Sequence, residues 1–436
     1  MTQPVATIYL EEIMKDAHAR TLELLAGLDE DQLMGPRLKI VNPLRWEIGH
    51  VAWFCEKFIL RDLYDQAPYY PPGDNIYDSI EIPHEVRWDL PMLSMNQTLA
   101  YVENVLERCL CRLGNGDASE ADSYIYQFAT FHEDMHTEAY TYSRQTLGYP
   151  EPTFANAKIP DDAETGPHPG DTPIPGGTFM LGSTKDESIL FDNEKWIHPV
   201  PVKPFEIAKA PVTNAEFQYF VDTKGYENRE FWDEDGWDWR KRENACHPVY
   251  WQPTGEGDWA VKRFDTIEDL APHQPIIHVN WYEATAFCRW AKRRLPTEIE
   301  WETAALGQPS TDRTRLSEKK RDTPWRDGPG NCVHANLDGG ALGVIDVAAF
   351  PLSDSAFGCR QMLGNVWEWT STEFGPYPDF TPDAYKDYSQ PVFHETKVLR
   401  GGAWATRSRM VTGRYRNFFT PDRRDVLAGF RTCVLP

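Results

Sequence analysis

The chain has 436 residues and a formal net charge of −23, so it is long enough for two or three domains, each with its own core. It contains no long basic run. Because nucleic acids and anionic membranes are bound by clustered Lys and Arg, we expect neither as a partner.

Three features of the sequence predict a cytoplasmic protein. The N-terminal segment has no basic stretch followed by an apolar one, as a signal peptide would have. No window of about 20 apolar residues is present, so no transmembrane helix is expected. The eight cysteines are scattered without a C-x-x-C pair, a pattern typical of reduced thiols.

Residues 1–150 predict a four-helix bundle. Apolar residues recur with helical spacing in 8–28, and similar segments follow at 45–64, 96–114 and 120–149. The last two segments end at Gly114 and Gly148, which are typical helix stops. A long connection, 62–92, joins the second and third helices, and such a connection in a bundle is often functional.

Residues 151–173 are rich in Pro, Gly, Asp and Thr without periodicity, which predicts a linker. From 174 to 436 the chain consists of short apolar runs separated by Gly, Pro and Asn. Only two helices are evident there, at 213–225, capped by Thr213 or Asn214, and at 281–294. The expected fold is therefore multidomain, with an N-terminal helical bundle and an irregular α+β domain.

The fourth predicted helix contains the motif H-E-x-x-H at 132–136. His132 and His136 lie one turn apart and can bind one metal, with Glu133 as general base if the protein is a zinc hydrolase. However, Tyr142 stands where the extended zinc-peptidase motif has its third histidine, and the first Glu beyond the helix is Glu151. A pair of structural histidines without metal is the alternative.

His50 offers a third ligand. It lies on the apolar second helix, where an unpaired imidazole would be costly to bury. If the second and fourth helices are neighbours, His50, His132 and His136 form one face in the core of the bundle. Three neutral imidazoles suit zinc hydrolysis, and they suit iron(II) and dioxygen equally.

Five motifs of the C-terminal half occur in order: "PGGTFMLGS", "APVTNAEFQYFV", "PIIHVNWYEATAFCRWAKRRLPTEIEWETAA", "GNVWEWT" and "VLRGGAWA". This series, spanning 174–436, resembles the formylglycine-generating-enzyme (sulfatase-modifying factor) domain, which has a C-type-lectin-like fold. Those enzymes use a pair of C-terminal cysteines. The region "RGGAWATRSRM" to "YRNFF" has none before Cys433, so their activity is not expected.

A DinB-like bundle with three histidines ahead of this domain resembles the sulfoxide synthases of ergothioneine biosynthesis and the related selenoneine synthases, over the whole chain. The resemblance implies non-haem iron(II) bound by His50, His132 and His136, with O₂ as co-substrate. It further implies that hercynine, a trimethylated histidine, is joined at imidazole C2 to a sulfur or selenium donor.

The resemblance also implies a hercynine-binding stretch, "RYRNFFTPDRRDVLAGFR", in which Asn417 contacts the substrate and Arg416 and Phe419 adjoin it. Met135 stands where the ergothioneine enzymes commonly have a Gln that can touch the imidazole, and Phe419 stands where some have an acid. Both departures leave the choice between a sulfur and a selenium donor open.

A family tyrosine near "WEWT" supplies a proton or an electron during the oxygen chemistry, and Tyr377 is the first candidate here. Phe374 is the other position that can align with it, in which case Tyr69 or Tyr70 of the long connection substitutes. Arg87 is the expected clamp for the donor's carboxylate, since guanidinium binds carboxylate bidentately. The structural alternatives are that Tyr377 is a packed loop residue and Arg87 a solvated surface charge.

Two other functions compete with the iron synthase. A zinc hydrolase using His132, Glu133 and His136 predicts bound zinc and indifference to oxygen. A non-catalytic ligand-binding protein, which lectin-like domains often are, predicts hercynine binding without turnover.

Overall fold

A computed structural model describes residues 3–157, 165–185, 189–255, 257–325 and 334–436. The chain divides into two compact units, the first formed by Met1–Ala155 with Thr184–Leu190 and the second by Asn156–Ser183 with Phe191–Pro436. No helix in the described ranges combines the length and apolarity needed to cross a bilayer. The seven cysteines that the structure describes are free thiols.

The first unit contains the four long helices that the sequence predicts. They are α1 (Thr7–Leu25), α3 (Leu44–Cys55), α5 (Met95–Arg112) and α6 (Glu120–Leu147), with short helices α2 (Glu30–Met34) and α4 (Asp74–Tyr77) between them. A π-helical segment, Glu56–Leu63, continues α3. Helix α6 packs against α1 and α3, and it ends at Gly148 in the left-handed conformation, with φ 67°.

The long connection between α3 and α5 is folded onto α3. It contains α4 between two 3₁₀ turns, Pro71–Gly73 and His84–Asp89. Tyr77, the last residue of α4, is fully buried. Its ring lies so close to α3 at Gly49 that a Cβ there would be 2.2 Å from the Tyr77 Cε1 atom. The missing side chain of Gly49 therefore lets the connection reach the helix next to His50.

The second unit is an irregular α+β domain, as predicted, with four helices and four small sheets among its described residues. The helices are α7 (Asn214–Asp222), α8 (Glu234–Arg242), α9 (Trp281–Trp290) and α10 (Glu298–Leu306). The strands are β1 (Asp171–Ile174), β2 (Gly177–Leu181), β3 (His198–Val202), β4 (Phe205–Ala208), β5 (Trp251–Pro253), β6 (Trp259–Arg263), β7 (Thr266–Asp269), β8 (Arg293–Arg294), β9 (Trp367–Glu373), β10 (Lys397–Arg400), β11 (Asn417–Phe419), β12 (Ala428–Gly429) and β13 (Cys433–Val434).

Two sheets have four strands, in the orders β1-β4-β13-β8 and β11-β10-β9-β12, and the others are β2-β3 and β5-β6-β7. Neighbouring strands are antiparallel except β12 and β9, which are parallel. Strand β1 begins at Asp171, inside the segment 151–173 that the sequence predicts as a linker, because it pairs with β4 over four residues.

The prediction of only two helices in this half is wrong, because it misses α8 and α10. Helix α10 is buried on nearly all sides, including its carboxylates Glu298 and Glu302, so it has no amphipathic stripe to detect. Helix α8 buries only Gly236 and Trp239, so its apolar signal is weak. Its acidic first turn and basic last turn are the sequence signal that predicts it.

A buried carboxylate organises the core of the second unit. Glu298 of α10 accepts hydrogen bonds from Arg400 Nη1 at 2.7 Å, from Arg416 Nε at 2.6 Å and from the Tyr377 hydroxyl at 3.2 Å. Removing one partner of such a buried ion pair leaves an uncompensated charge and costs about 3–5 kcal/mol. These contacts therefore join α10, β10 and the segment before β11.

His278 makes the second unit sensitive to acid. The side chain is buried, its Nδ1 lies 3.0 Å from the Asp425 carbonyl oxygen, and its backbone is left-handed, with φ 60°. Burial lowers the pKa of His278 to about 4. In the unfolded chain this histidine has a pKa near 6.5, so between about pH 6.5 and pH 4 the unfolded state binds more protons than the folded state. The contribution of the neutral His278 to stability is therefore complete above about pH 6.5 and is lost as the pH falls towards 4.

We predict that His278→Asn flattens this dependence, since Asn tolerates the left-handed backbone but does not titrate. Between pH 7 and pH 5 the wild type should lose about 2 kcal/mol more than the variant in urea unfolding. An equal pH dependence in both proteins would contradict the assignment.

Candidate metal centre

Three imidazoles meet in the core of the first unit. His50 comes from α3, and His132 and His136 come from α6. One ring nitrogen from each lies within 4.8 Å of the other two. The structure thus brings together the three residues that the sequence singled out, and α3 and α6 are neighbours as that expectation required.

The orientation of His50 is set by a backbone carbonyl. Its Nδ1 lies 2.7 Å from the Tyr77 carbonyl oxygen, and since a carbonyl only accepts, Nδ1 carries the proton and donates it. The lone pair is therefore on Nε2, which lies 3.2 Å from Nε2 of His132. Trp46 stacks on the His50 ring at 5.0 Å between centroids, so both the tautomer and the ring plane are fixed.

Burial keeps His50 and His132 neutral. It lowers the pKa of His50 and of His132 well below the ordinary value, and the neighbouring His136 acts in the same direction. The His132 ring also stacks on Phe54, with centroids 3.8 Å apart. Neutral imidazoles have a lone pair available for a metal ion.

The residues fit a metal ion with nitrogen ligands. Two nitrogens 3.2 Å apart are near the separation of two ligands bound at about 2.1 Å to one ion. Three neutral imidazoles suit Fe(II) or Zn(II) and leave coordination positions for other molecules. The His136 side chain is 18% exposed, and Met135 and Ala139 are also half-buried, so a small molecule can approach the cluster from this side of α6.

Glu133, the predicted base of a zinc hydrolase, is tied to a different helix. Its carboxylate accepts a hydrogen bond from the Thr21 hydroxyl of α1 at 2.7 Å. The three histidines instead meet where α6 faces α3. Glu133 is therefore not among the residues grouped around the site.

Arg87, the predicted clamp for the donor, is buried rather than a solvated surface charge. Nη1 donates to Asn42 Oδ1 at 2.8 Å, and Nη2 donates to the carbonyls of Ser79 and Ile82, each at 3.1 Å. The guanidinium also lies 3.9 Å from the centre of the Trp46 ring. Arg87 thus holds the long connection against the tryptophan that stacks on His50, and its role towards a donor stays a prediction.

Tyr69 and Tyr70 lie in the same connection. Tyr69 is 43% exposed, and its backbone N–H donates to Glu56 Oε1 at 2.8 Å. The Tyr70 ring lies 6.4 Å from that of Tyr77 and 5.6 Å from that of Tyr101, and burial raises the pKa of Tyr70. The structure therefore puts Tyr70 beside the residue whose carbonyl orients His50.

The remaining predicted residues belong to the second unit. Tyr377 and Arg416 are both buried against Glu298, with the guanidinium 4.1 Å from the centre of the tyrosine ring, and burial raises the pKa of Tyr377 well above its usual range. Asn417 begins β11, and its Oδ1 accepts from the Phe418 N–H at 2.8 Å. Phe419 is half-buried, and the Arg423 guanidinium carbon lies 5.1 Å from the centre of its ring. Their roles in catalysis and substrate binding stay predictions.

Sequence reasoning missed Gly49, Tyr77 and Glu47. Gly49 admits the Tyr77 ring, Tyr77 orients His50, and Glu47 lies 3.9 Å from Nδ1 of His136. Glu47 precedes His50 by three residues on one helix, which puts both on the same face. That spacing was the available signal, whereas nothing in the sequence pairs Tyr77 with either residue.

We predict that Gly49→Ala weakens both the fold and metal binding. The new methyl group must displace the Tyr77 ring and with it the carbonyl that holds His50, at a cost of about 1–3 kcal/mol. Gly114→Ala is the matched control, because a Cβ there meets no atom within 4 Å. Urea unfolding and Fe(II) or Zn(II) titration measure the two effects, and equal behaviour of the two variants would contradict the role of Gly49.

Comparison with known proteins covers both halves of the chain. The model of the sulfatase-modifying factor enzyme 1-like domain matches residues 156–435, and that of the DinB superfamily matches 13–139. The hercynine oxygenase of Mycolicibacterium thermoresistibile is 36% identical over 424 residues, which is 95% of this chain and 92% of the relative. Those of Mycolicibacterium smegmatis and Mycobacterium tuberculosis are 35% and 34% identical, each over 95% of this chain and 96% of the relative.

These matches confirm the predicted fold class, a DinB-like helical bundle followed by a formylglycine-generating-enzyme-type domain. The relatives match this chain along almost its whole length, through both domains and not through one of them alone. The chain belongs to the hercynine oxygenase family, in which the two domains are fused as in the ergothioneine sulfoxide synthases.

Proposed function

We propose that the protein is a cytoplasmic, non-haem Fe(II)- and O₂-dependent synthase that forms a C–S or C–Se bond at imidazole C2 of hercynine. The observation that carries the proposal is the cluster of His50, His132 and His136, whose ring nitrogens converge within 4.8 Å in the bundle core. Hercynine is proposed as the substrate because three relatives of this chain are hercynine oxygenases. The free thiols of the described cysteines agree with a reducing compartment.

Iron fits the site better than a hydrolytic zinc ion. In a zinc hydrolase the glutamate of H-E-x-x-H must face the metal to act as general base. Here the Glu133 carboxylate accepts from Thr21 of α1. Iron(II) bound by three neutral imidazoles would supply dioxygen activation at its open positions.

The proposed reaction balances with one molecule of O₂. With a thiol donor and a sulfoxide product, the C2–H and S–H bonds break and the C–S and S=O bonds form. One oxygen atom enters the sulfoxide, and the other leaves as water with the two hydrogens. Dioxygen is thereby reduced by four electrons, all supplied by the two substrates, and a selenol donor gives the same balance.

The substrate contacts are proposed from the family resemblance. A trimethylammonium group cannot accept a hydrogen bond and is held by aromatic faces and polar oxygens. Met135 lies on α6 directly before the ligand His136 and is half-buried, so it can contact the imidazole. Asn417 and Phe419 are proposed for hercynine, with Arg416 positioning the adjacent Asn417 through its bonds to Glu298. Arg87 is proposed for the donor's carboxylate.

Among the three tyrosines proposed for proton or electron transfer, Tyr70 has the most suitable surroundings. It packs beside Tyr77, whose carbonyl orients His50. Tyr69 is more exposed than Tyr70, and its ring lies beneath the Arg108 guanidinium. The hydroxyl of Tyr377, in contrast, donates to the buried Glu298 carboxylate. The O–H group that the reaction would need is therefore already engaged in a hydrogen bond.

The test is anaerobic loading with iron(II), followed by air, hercynine and separate donors: cysteine, γ-glutamylcysteine and a selenosugar. We expect a new bond at C2, detected by mass spectrometry and by loss of deuterium from C2-labelled hercynine, only when iron and O₂ are both present. The donor that reacts decides between sulfur and selenium. His136→Ala should abolish the product, whereas Glu133→Gln, which still accepts from Thr21, should retain most of it.

The competing functions give different results in the same assay. A zinc hydrolase would hold zinc, consume no oxygen and lose its activity in Glu133→Gln. A ligand-binding protein would bind hercynine without turnover and without need of a metal. Either result would overturn the synthase proposal.

A further inference from the structure

Glu47 is a buried carboxylate beside the metal centre, and the family resemblance assigns it no role. Its side chain is 4% exposed, and Oε1 lies 3.9 Å from Nδ1 of His136. The same oxygen accepts a hydrogen bond from Asn42 Nδ2 at 2.7 Å. Glu47 Oε2 and His136 Nδ1 are both buried and have no hydrogen-bond partner among the described residues.

The 3.9 Å distance joins His136 Nδ1 to Oε1, the oxygen that already accepts from Asn42, and it is longer than a hydrogen bond. The other oxygen of the same carboxylate, Oε2, is the acceptor still available to the His136 Nδ1–H. Burying a carboxylate without a partner for one of its oxygens is costly, and so is burying an imidazole N–H without an acceptor. Histidines that bind a metal usually donate their other N–H to a carboxylate or a carbonyl, which fixes the tautomer and the ring orientation. His50 already has such an acceptor in the Tyr77 carbonyl.

We propose that Glu47 is the positioning residue for His136. Its carboxylate accepts the Nδ1–H of His136, which leaves the Nε2 lone pair for the metal ion. The inference rests on the proposed three-histidine site and identifies how the most exposed of its ligands is held. It also puts a negative charge next to a divalent ion that has only neutral ligands, which strengthens binding.

A chain of hydrogen bonds fixes Glu47 in turn. Asn42 accepts from Arg87 Nη1 at 2.8 Å and donates to Glu47 at 2.7 Å, so both ends of its amide are assigned. The Arg87 guanidinium lies on Trp46, and Trp46 stacks on His50. Arg87 therefore supports two of the three ligands, His136 through Asn42 and Glu47, and His50 through Trp46.

The test is Glu47→Gln in the full-length protein. The Gln oxygen can still accept from Asn42, but the new amide removes the negative charge and half of the side chain's accepting capacity. We expect Fe(II) affinity, measured anaerobically against a competing chelator, to fall by about 10–100-fold. The visible absorption of the Co(II)-loaded protein should change, while the thermal unfolding midpoint of the metal-free protein stays close to that of the wild type.

Glu56→Gln is the matched control. Glu56 is equally buried, and it accepts from the Tyr101 hydroxyl and the Tyr69 N–H. The Fe(II) affinity of the Glu56→Gln variant should equal that of the wild type. Asn42→Ala is the second variant. It leaves the Glu47 carboxylate in place but frees its orientation, so we expect a several-fold loss of Fe(II) affinity in the same direction.

The outcomes separate this inference from the proposed function. A wild-type protein that binds no Fe(II) would overturn the metal site itself. A wild type that binds Fe(II), with Glu47→Gln and Asn42→Ala binding it equally well, would overturn only the role of Glu47. If Glu47→Gln does not fold, unchanged affinity in Asn42→Ala overturns that role by itself.

Discussion

The hydrogen bond from His50 Nδ1 to the Tyr77 carbonyl is the contact on which the proposed metal centre depends. It assigns the His50 tautomer and directs Nε2 towards His132. It also explains the path of the long connection, which must bring Tyr77 to α3 and can do so because residue 49 is glycine. The long connection thus helps to set the geometry of the three histidines, through one carbonyl and the aromatic groups around it.

Two buried carboxylates, Glu298 in the second unit and Glu47 in the first, have different surroundings. In the second unit, the buried Glu298 carboxylate is matched by Arg400 and Arg416. In the first unit, His132 Nδ1, His136 Nδ1 and Glu47 Oε2 are buried without hydrogen-bond partners among the described residues. The ion pairs of Glu298 join elements of a core, whereas the unpartnered groups around the three converging imidazoles are ones that the proposed metal ion and its supporting hydrogen bonds would satisfy.

Helical periodicity predicted the four long helices and the shared face of His132 and His136, because both follow from local spacing. The addition of His50 needed only the assumption that two apolar helices pack together. Helix α10 was not predicted, because its carboxylates are buried in ion pairs and the sequence therefore shows no alternation of apolar and polar faces. The contacts of Arg87 and Tyr377 were also beyond prediction, since their partners, such as Asn42 and Glu298, lie 45 and 79 residues away in the chain.

The most direct test of the three-histidine site is an anaerobic Fe(II) titration of the metal-free wild type and of His50→Ala, His132→Ala and His136→Ala. A single site formed by these residues predicts one iron per wild-type chain and a large loss of affinity in each variant. The free energy of Fe(II) binding is shared among three ligands, so each single substitution should lower the measured affinity. Tight binding of iron in any of the three variants, or a wild type that takes up none, would contradict the site.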